Sequence, residues 1–151
     1  MRYLEDLVLG ERFACGGFTF SRADIVSFAA RFDPQPFHLD EAAARESYFG
    51  GLVASGVHTQ AEAVSLVVRA TTDIAVVAGG ALERARFLVP VRPDRRYEVE
   101  AWWDSTRPSG RNSARGVGLL RGEAREAAGA VVMEFGITYI LARRPVLSRP
   151  G

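Results

Sequence analysis

The sequence predicts an α+β domain in which an antiparallel sheet curves around a single buried helix. Two observations carry that prediction. Residues 57–70 are apolar around most of a helical circumference: Val57, Ala61, Val64 and Val68 form one stripe, and Ala63, Leu66, Val67 and Ala70 form another. A helix of that kind belongs in the middle of other structure. The second half of the chain alternates with period two instead. Tyr97, Val99, Ala101 and Trp103 share one face against Glu98 and Glu100, and Val131, Met133, Phe135, Ile137, Tyr139 and Leu141 repeat the pattern. Consecutive strands with short turns make an antiparallel meander, and a buried helix ahead of it gives that sheet something to wrap.

Taken in order, ERFACGGFTF at 11–20 reads as a strand with a glycine-softened middle. Ser21 followed by Asp24 is a variant of the capping box, and Ile25, Phe28, Ala29 and Phe32 recur at helical spacing, which predicts a helix over 22–32. Pro34 disfavours helical geometry at Asp33 and stops it there. Asp40 is placed to cap a short second helix running to about Glu46, and YFGGLVASG leads into the buried helix. That helix carries one polar line, His58, Glu62, Ser65 and Arg69. Residues 81–89 and 113–124 are further strand candidates, the second weakened by Gly116, Gly118 and Gly122. Turn signals separate the strands at RPDRR, STRPSGRN and REAAGA. No internal repeat or linker divides the chain, so residues 1–151 read as one domain, with ARRPVLSRPG after residue 142 as a loose tail.

Composition narrows the function classes. A formal net charge of +1 gives no strong pull toward nucleic acid or an anionic membrane. All 19 basic residues are arginine, which excludes a Schiff-base lysine. Cys15 is the only cysteine, so no internal disulfide can form, and its strand-like neighbours Ala14 and Gly16 supply no base; it reads as a small buried hydrophobe. Two histidines and scattered acids make no metal-ligand cluster. The most apolar run is broken by Arg69 and Asp73 too early for a membrane span, and MRYLEDLVLGERF lacks the apolar core of a signal peptide. A cytoplasmic protein is the expectation.

The stretch RFDPQPFHLD carries the functional question. Asp33 lies just past a helix end and His38 five residues on, with Pro34 and Pro36 fixing two φ angles between them. A loop stiffened that way can hold two side chains toward one point for acid–base chemistry. Spacing alone leaves a second reading open, in which Asp33 is a turn residue and His38 an incidental loop residue.

The longer stretch FDPQPFHLDEAAARESYFGGLVASGVHT resembles the hydratase signature of the MaoC-like dehydratases, a hotdog-fold family that includes the (R)-specific enoyl-CoA hydratases. Residues 5–70 are similar to that family's order of strand, helix, overhanging loop and central helix, and GALERARFLVPVRPDRRYEVEA resembles its following strands. The resemblance implies that Asp33 and His38 hold and activate a water, with Asp33 as base. It also implies that the Gly56 N–H, with Ser55 beside it in the substrate-binding group, bonds a thioester carbonyl. The residues support the Gly56 role independently, because unpaired N–H groups and the positive dipole end at a helix start suit an oxyanion. Gln35 stands where the common pattern has Asn, and Ser55 where a histidine often precedes the glycine.

The implied activity is reversible addition of water to a trans-2-enoyl thioester of coenzyme A or an acyl carrier, giving a (3R)-hydroxyacyl thioester with no separate cofactor. Coenzyme A phosphates would meet guanidinium groups, for which Arg84, Arg86, Arg92, Arg95 and Arg96 are candidates, although each also reads as a solvated arginine on a sheet edge. Hotdog relatives join sheets edge to edge, implying a homodimer or higher homo-oligomer with the polar line of the central helix near the junction. His58 matches no catalytic position of the family and, with Glu62 one turn on, reads as structural. Two alternatives remain: a hotdog acyl-CoA thioesterase with Glu62 as base or nucleophile, and a non-catalytic acyl-thioester binding module.

Overall fold

The computed structural model describes residues 1–127 and 129–145. Five strands, β1 (Phe13–Phe18), β2 (Val76–Phe87), β3 (Tyr97–Pro108), β4 (Arg115–Glu126) and β5 (Val131–Ala142), form one antiparallel sheet in the order β1-β3-β4-β5-β2. Four helices, α1 (Arg22–Phe32), α2 (Pro36–Leu39), α3 (Glu41–Glu46) and α4 (Gly56–Ala70), lie between β1 and β2 in the chain. The capping box at α1 forms as expected, with Ser21 Oγ accepting the Asp24 N–H at 3.0 Å and Asp24 accepting the Ser21 N–H at 2.9 Å. Asp40 caps α3 through the Ala43 N–H.

The core sits between α4 and the inner face of the sheet. Ala63, Leu66 and Val67 of α4 are buried there with Tyr97, Val99, Ala101 and Trp103 of β3 and the alternating residues Met133 to Leu141 of β5. The other α4 stripe behaves differently: Val57 and Val68 are about half exposed. The glycines of β4 prove to be fitted to the core. A Cβ on Gly122 would lie 2.2 Å from Phe135 Cζ, so the missing side chain makes room for the ring of its cross-strand partner. Cys15 is buried, and desolvation pushes its thiol up to about 11, which suits an inert packing role.

Strand β2 starts at Val76, five residues before the sequence expectation of 81. Register shifts between Val76 and Ala78, Gly79 and Ala81, and Glu83 and Arg86 break its period-two pattern, so alternation could not mark its start. It is also the sheet's edge, and its residues are almost all exposed along the whole length. The stiff loop expected around Pro36 is a one-turn helix, α2, with that proline in its first turn. At the far end, Arg143 Nε donates to Glu5 at 2.8 Å and Arg144 pairs with Asp6. Residues 146–151, read from the sequence as part of a loose tail, lie outside the described residues.

Candidate active site

Helix α1 ends at Asp33, whose N–H still donates to the Ala29 carbonyl at 2.9 Å. The Pro34 break then turns the chain into α2, which carries His38 inward to 5% exposure. The imidazole Nδ1 lies 2.7 Å from the Val53 carbonyl oxygen, and that oxygen can only accept, so Nδ1 bears the proton. In the neutral ring Nε2 therefore carries a lone pair, and it faces Asp33 Oδ2 at 3.3 Å. Two acceptors so close favour a shared donor, which a water or a transferred proton supplies.

Asp33 is held from three sides. Ser55 Oγ donates to Oδ2 at 2.6 Å, Gln35 Nε2 donates to Oδ1 at 3.1 Å, and His38 closes the third side. The Ser55 hydrogen bond is the main reason that Asp33 titrates below the usual 3.8; desolvation opposes it, and Gln35 and His38 assist. The serine expected beside the substrate carbonyl is thus committed to Asp33 and to helix capping, since its Oγ also accepts the Val57 N–H at 3.2 Å. It is fully buried. Gly56 follows as the first residue of α4, where amides lack intrahelical acceptors.

Asp33, His38 and Gly56 line one cavity of about 540 Å³. Its other walls are largely apolar, with Phe37, Phe49, Val53, Phe87, Val91 and Met133 among them, and Thr59 adds a hydroxyl. A mostly apolar cleft of that size with a few convergent polar groups is the usual form of a small-molecule site. Sequence reasoning missed Thr59, Phe87 and the aromatic walls; no periodic signal ties those positions together.

The arginine candidates fall elsewhere. Arg92 donates to the Gly51 and Phe49 carbonyls at 3.1 and 2.6 Å and so straps the loop beside the cavity. Arg84 and Arg86 lie on β2 with Arg121 and Trp102 around a separate depression of about 230 Å³, and Arg86 pairs with Glu134 at 3.4 Å. Arg95 and Arg96 pair with Glu126 and Glu98.

Glu62 and His58 face away from the dyad. Both line a larger, more polar cavity of about 750 Å³ on the α1 side of α4, with Asp24, Arg31 and Arg96. His58 is sandwiched face to face between Phe20 and Phe28, at centroid distances of 3.8 and 4.3 Å, and is not ion-paired to Glu62. Burial in that stack lowers its pKa below 6.5, with Asp24 opposing. The unfolded chain therefore binds a proton at this residue before the folded protein does. Its contribution to stability is whole above pH 6.5 and declines as pH falls from there toward the folded-state value. Denaturant unfolding at a series of pH values should show that decline, and His58→Phe should flatten it.

The profile of the MaoC-like domain matches residues 10–119. The chain belongs to the MaoC-like family. A MaoC-like dehydratase from Rhodospirillum rubrum is 36% identical, with a TM-score of 0.87 over 97% of this chain and 100% of its own. An unliganded R-hydratase from Pseudomonas aeruginosa superposes with a TM-score of 0.68 over 99% of this chain and 94% of its own; at 21% identity this is a likeness of fold alone. The uncharacterized protein YdeM of Bacillus subtilis is 34% identical over 92 residues, 60% of this chain and 65% of that protein, so the chain spans just under two-thirds of that curated relative. The antiparallel sheet around α4 is the hotdog fold of these MaoC-like proteins. No helix among the described residues is long and apolar enough to cross a membrane.

Proposed function

We propose that the protein adds water reversibly to a trans-2-enoyl thioester, forming a (3R)-hydroxyacyl thioester. The observation that carries this reading is the convergence of Asp33, His38 and the first amide of α4 on one apolar cavity. Water donates to Asp33 and to the bare Nε2 of His38. Its oxygen bonds to C3 while one proton passes to the dyad. Charge moves to the thioester oxygen, where the Gly56 N–H stabilises the enolate more than the starting carbonyl. The proton then returns to C2, so the elements of water are added and the dyad is regenerated.

The resemblance gave the base role to Asp33. The surroundings favour His38 instead, since Ser55 and Gln35 make the Asp33 carboxylate a weaker proton acceptor, and imidazole is the stronger base of the two side-chain types. Asp33 then positions the water and stabilises the imidazolium. Coenzyme A or a carrier arm belongs to the substrate, and the chemistry uses no further cofactor. The lone buried cysteine is compatible with work in the cytoplasm.

Incubation with crotonyl-CoA tests the reading: loss of the enoyl absorbance without release of thiol is expected. Thiol release would point to a thioesterase, which Glu62 is poorly sited to serve from the other side of α4. The product should be the (3R) alcohol, because water is held on one side of the cavity; chiral chromatography showing the (3S) alcohol would overturn the arrangement.

The assembly we propose is a homodimer joined along β2. That edge exposes Val76, Val77, Leu82 and Phe87, Leu88 and Val89 continue it just past the strand, and Val57 and Val68 add the open stripe of α4. An unpaired apolar edge is a ready template for a second strand. On the polar line of α4, His58 and Glu62 line a cavity shared with α1. Light scattering at micromolar concentration should give twice the chain mass; a monomer would reject the dimer.

A further inference from the structure

We infer that Phe87 is a specificity-determining wall at the thioester end of the cavity, and that it restricts the site to acyl groups unbranched at C2. The inference rests on the hydratase reading above. Phe87 ends β2 and lines the same cavity as Gly56 and the dyad. A Cβ built on Gly56 would lie 2.6, 2.7 and 2.8 Å from Cζ, Cε2 and Cε1 of the Phe87 ring. The far edge of that ring therefore packs on the bare α-carbon of Gly56, next to the amide assigned to the thioester carbonyl. Gly56 has an ordinary negative φ, so what requires a glycine here is the ring and not the backbone conformation.

Phe87 is the cross-strand partner of Met133, which is fully buried and lines the cavity on β5. A carbonyl oxygen accepting from the Gly56 N–H lies about 2.9 Å from that nitrogen, and C2 is only one further bond beyond the carbonyl carbon. We place groups attached at C2 between the dyad and the Phe87 ring, because both line the cavity and the ring edge packs on Gly56 beside the assigned amide. Hydrogen fits between them, and a methyl group meets the ring. Phe37, Phe49 and Val53 also line the cavity.

The test compares crotonyl-CoA with 2-methylcrotonyl-CoA in the intact protein and in Phe87→Ala and Phe87→Leu. The quantity read is the ratio of the two kcat/KM values, which cancels effects common to both substrates. A single methylene in an apolar pocket is worth roughly 10–200-fold, so Phe87→Ala should shift the ratio toward the branched substrate by about tenfold or more, and Phe87→Leu by less. Light scattering and thermal melts accompany each variant. Should Phe87→Ala alter the assembly, Phe87→Leu, which keeps apolar area on the β2 edge, carries the comparison. An unchanged ratio with crotonyl-CoA turnover retained overturns the inference and leaves the hydratase reading standing. Absence of crotonyl-CoA turnover in the unaltered protein sinks that reading instead. The wall is then tested by calorimetry with butyryl-CoA and 2-methylpropanoyl-CoA: a preference for the straight chain that Phe87→Ala removes supports it, and equal affinities or no binding overturn it.

Discussion

Asp33→Asn is expected to lose at least ~100-fold in kcat while the protein folds normally. Positioned acid–base groups contribute roughly 10²–10⁴-fold, equivalent to about 3–5 kcal/mol of barrier. Asparagine keeps the shape and can still accept from Ser55, but it is neutral and cannot stabilise an imidazolium 3.3 Å away. In the flipped orientation its amide nitrogen takes the Oδ2 position, where it donates to Nε2 of His38 and gives up the acceptor for Ser55. His38→Ala removes that lone pair outright and should cost a similar factor. If both side chains act on one water, as proposed, the double variant should be scarcely worse than the poorer single one. Glu62→Gln, on the opposite side of α4, should change kcat little. Steady-state kinetics with crotonyl-CoA and circular dichroism check all four. If Asp33→Asn retains near-full activity while Glu62→Gln abolishes it, the dyad is only a turn.

Ser55→Ala should produce the next largest effect. Its hydroxyl is the principal hydrogen bond to Asp33, and it has no exposure to solvent through which water could replace it. Hydrogen bonds to charged groups are worth about 1.5–3 kcal/mol, so kcat should fall roughly 10–100-fold if that bond is fully expressed in the transition state. A purely structural role would leave the pH profile alone. A positioning role moves it: without Ser55 the carboxylate loses its main stabilisation and the Asp33 pKa rises, carrying any acid limb that it controls to higher pH. The stability linkage has the same sign. A carboxyl titrating below 3.8 in the folded state contributes stability above that value, and this contribution is lost as pH falls through the folded-state pKa, so Ser55→Ala should narrow the difference between neutral and acid stability. KM should move less than kcat, since Ser55 reaches the substrate only through Asp33.

The loop between Asp33 and His38 was legible because its cues are local. Two prolines within four residues set the backbone, a capped helix precedes it, and the imidazole is one short turn from the carboxylate. The start of β2 was not legible, since three register shifts within twelve residues erase the alternation that marks a strand. The β4 glycines were misleading for a related reason. Taken singly they weaken a strand, and only the pairing of Gly122 with Phe135 across the sheet shows that the absent side chain is filled by a ring. The arginines are a different case: composition names the cations, and only the fold shows that Arg92 donates to two backbone carbonyls.

By itself, then, the sequence determined the order of the elements, the capped α1, the proline-set turn that brings Asp33 and His38 near each other and a central helix with two apolar stripes. Each of these follows from caps, prolines and periodicity acting over a few turns of chain. Only the tertiary structure decided that Ser55 reaches Asp33 from 22 residues away, that Glu62 and His58 lie across α4 from the cavity, and that Phe87 closes on Gly56. Those contacts join segments whose separation is set by the curvature and register of the sheet. They leave no repeating trace in the sequence because each is made once, between side chains that local geometry alone does not bring together.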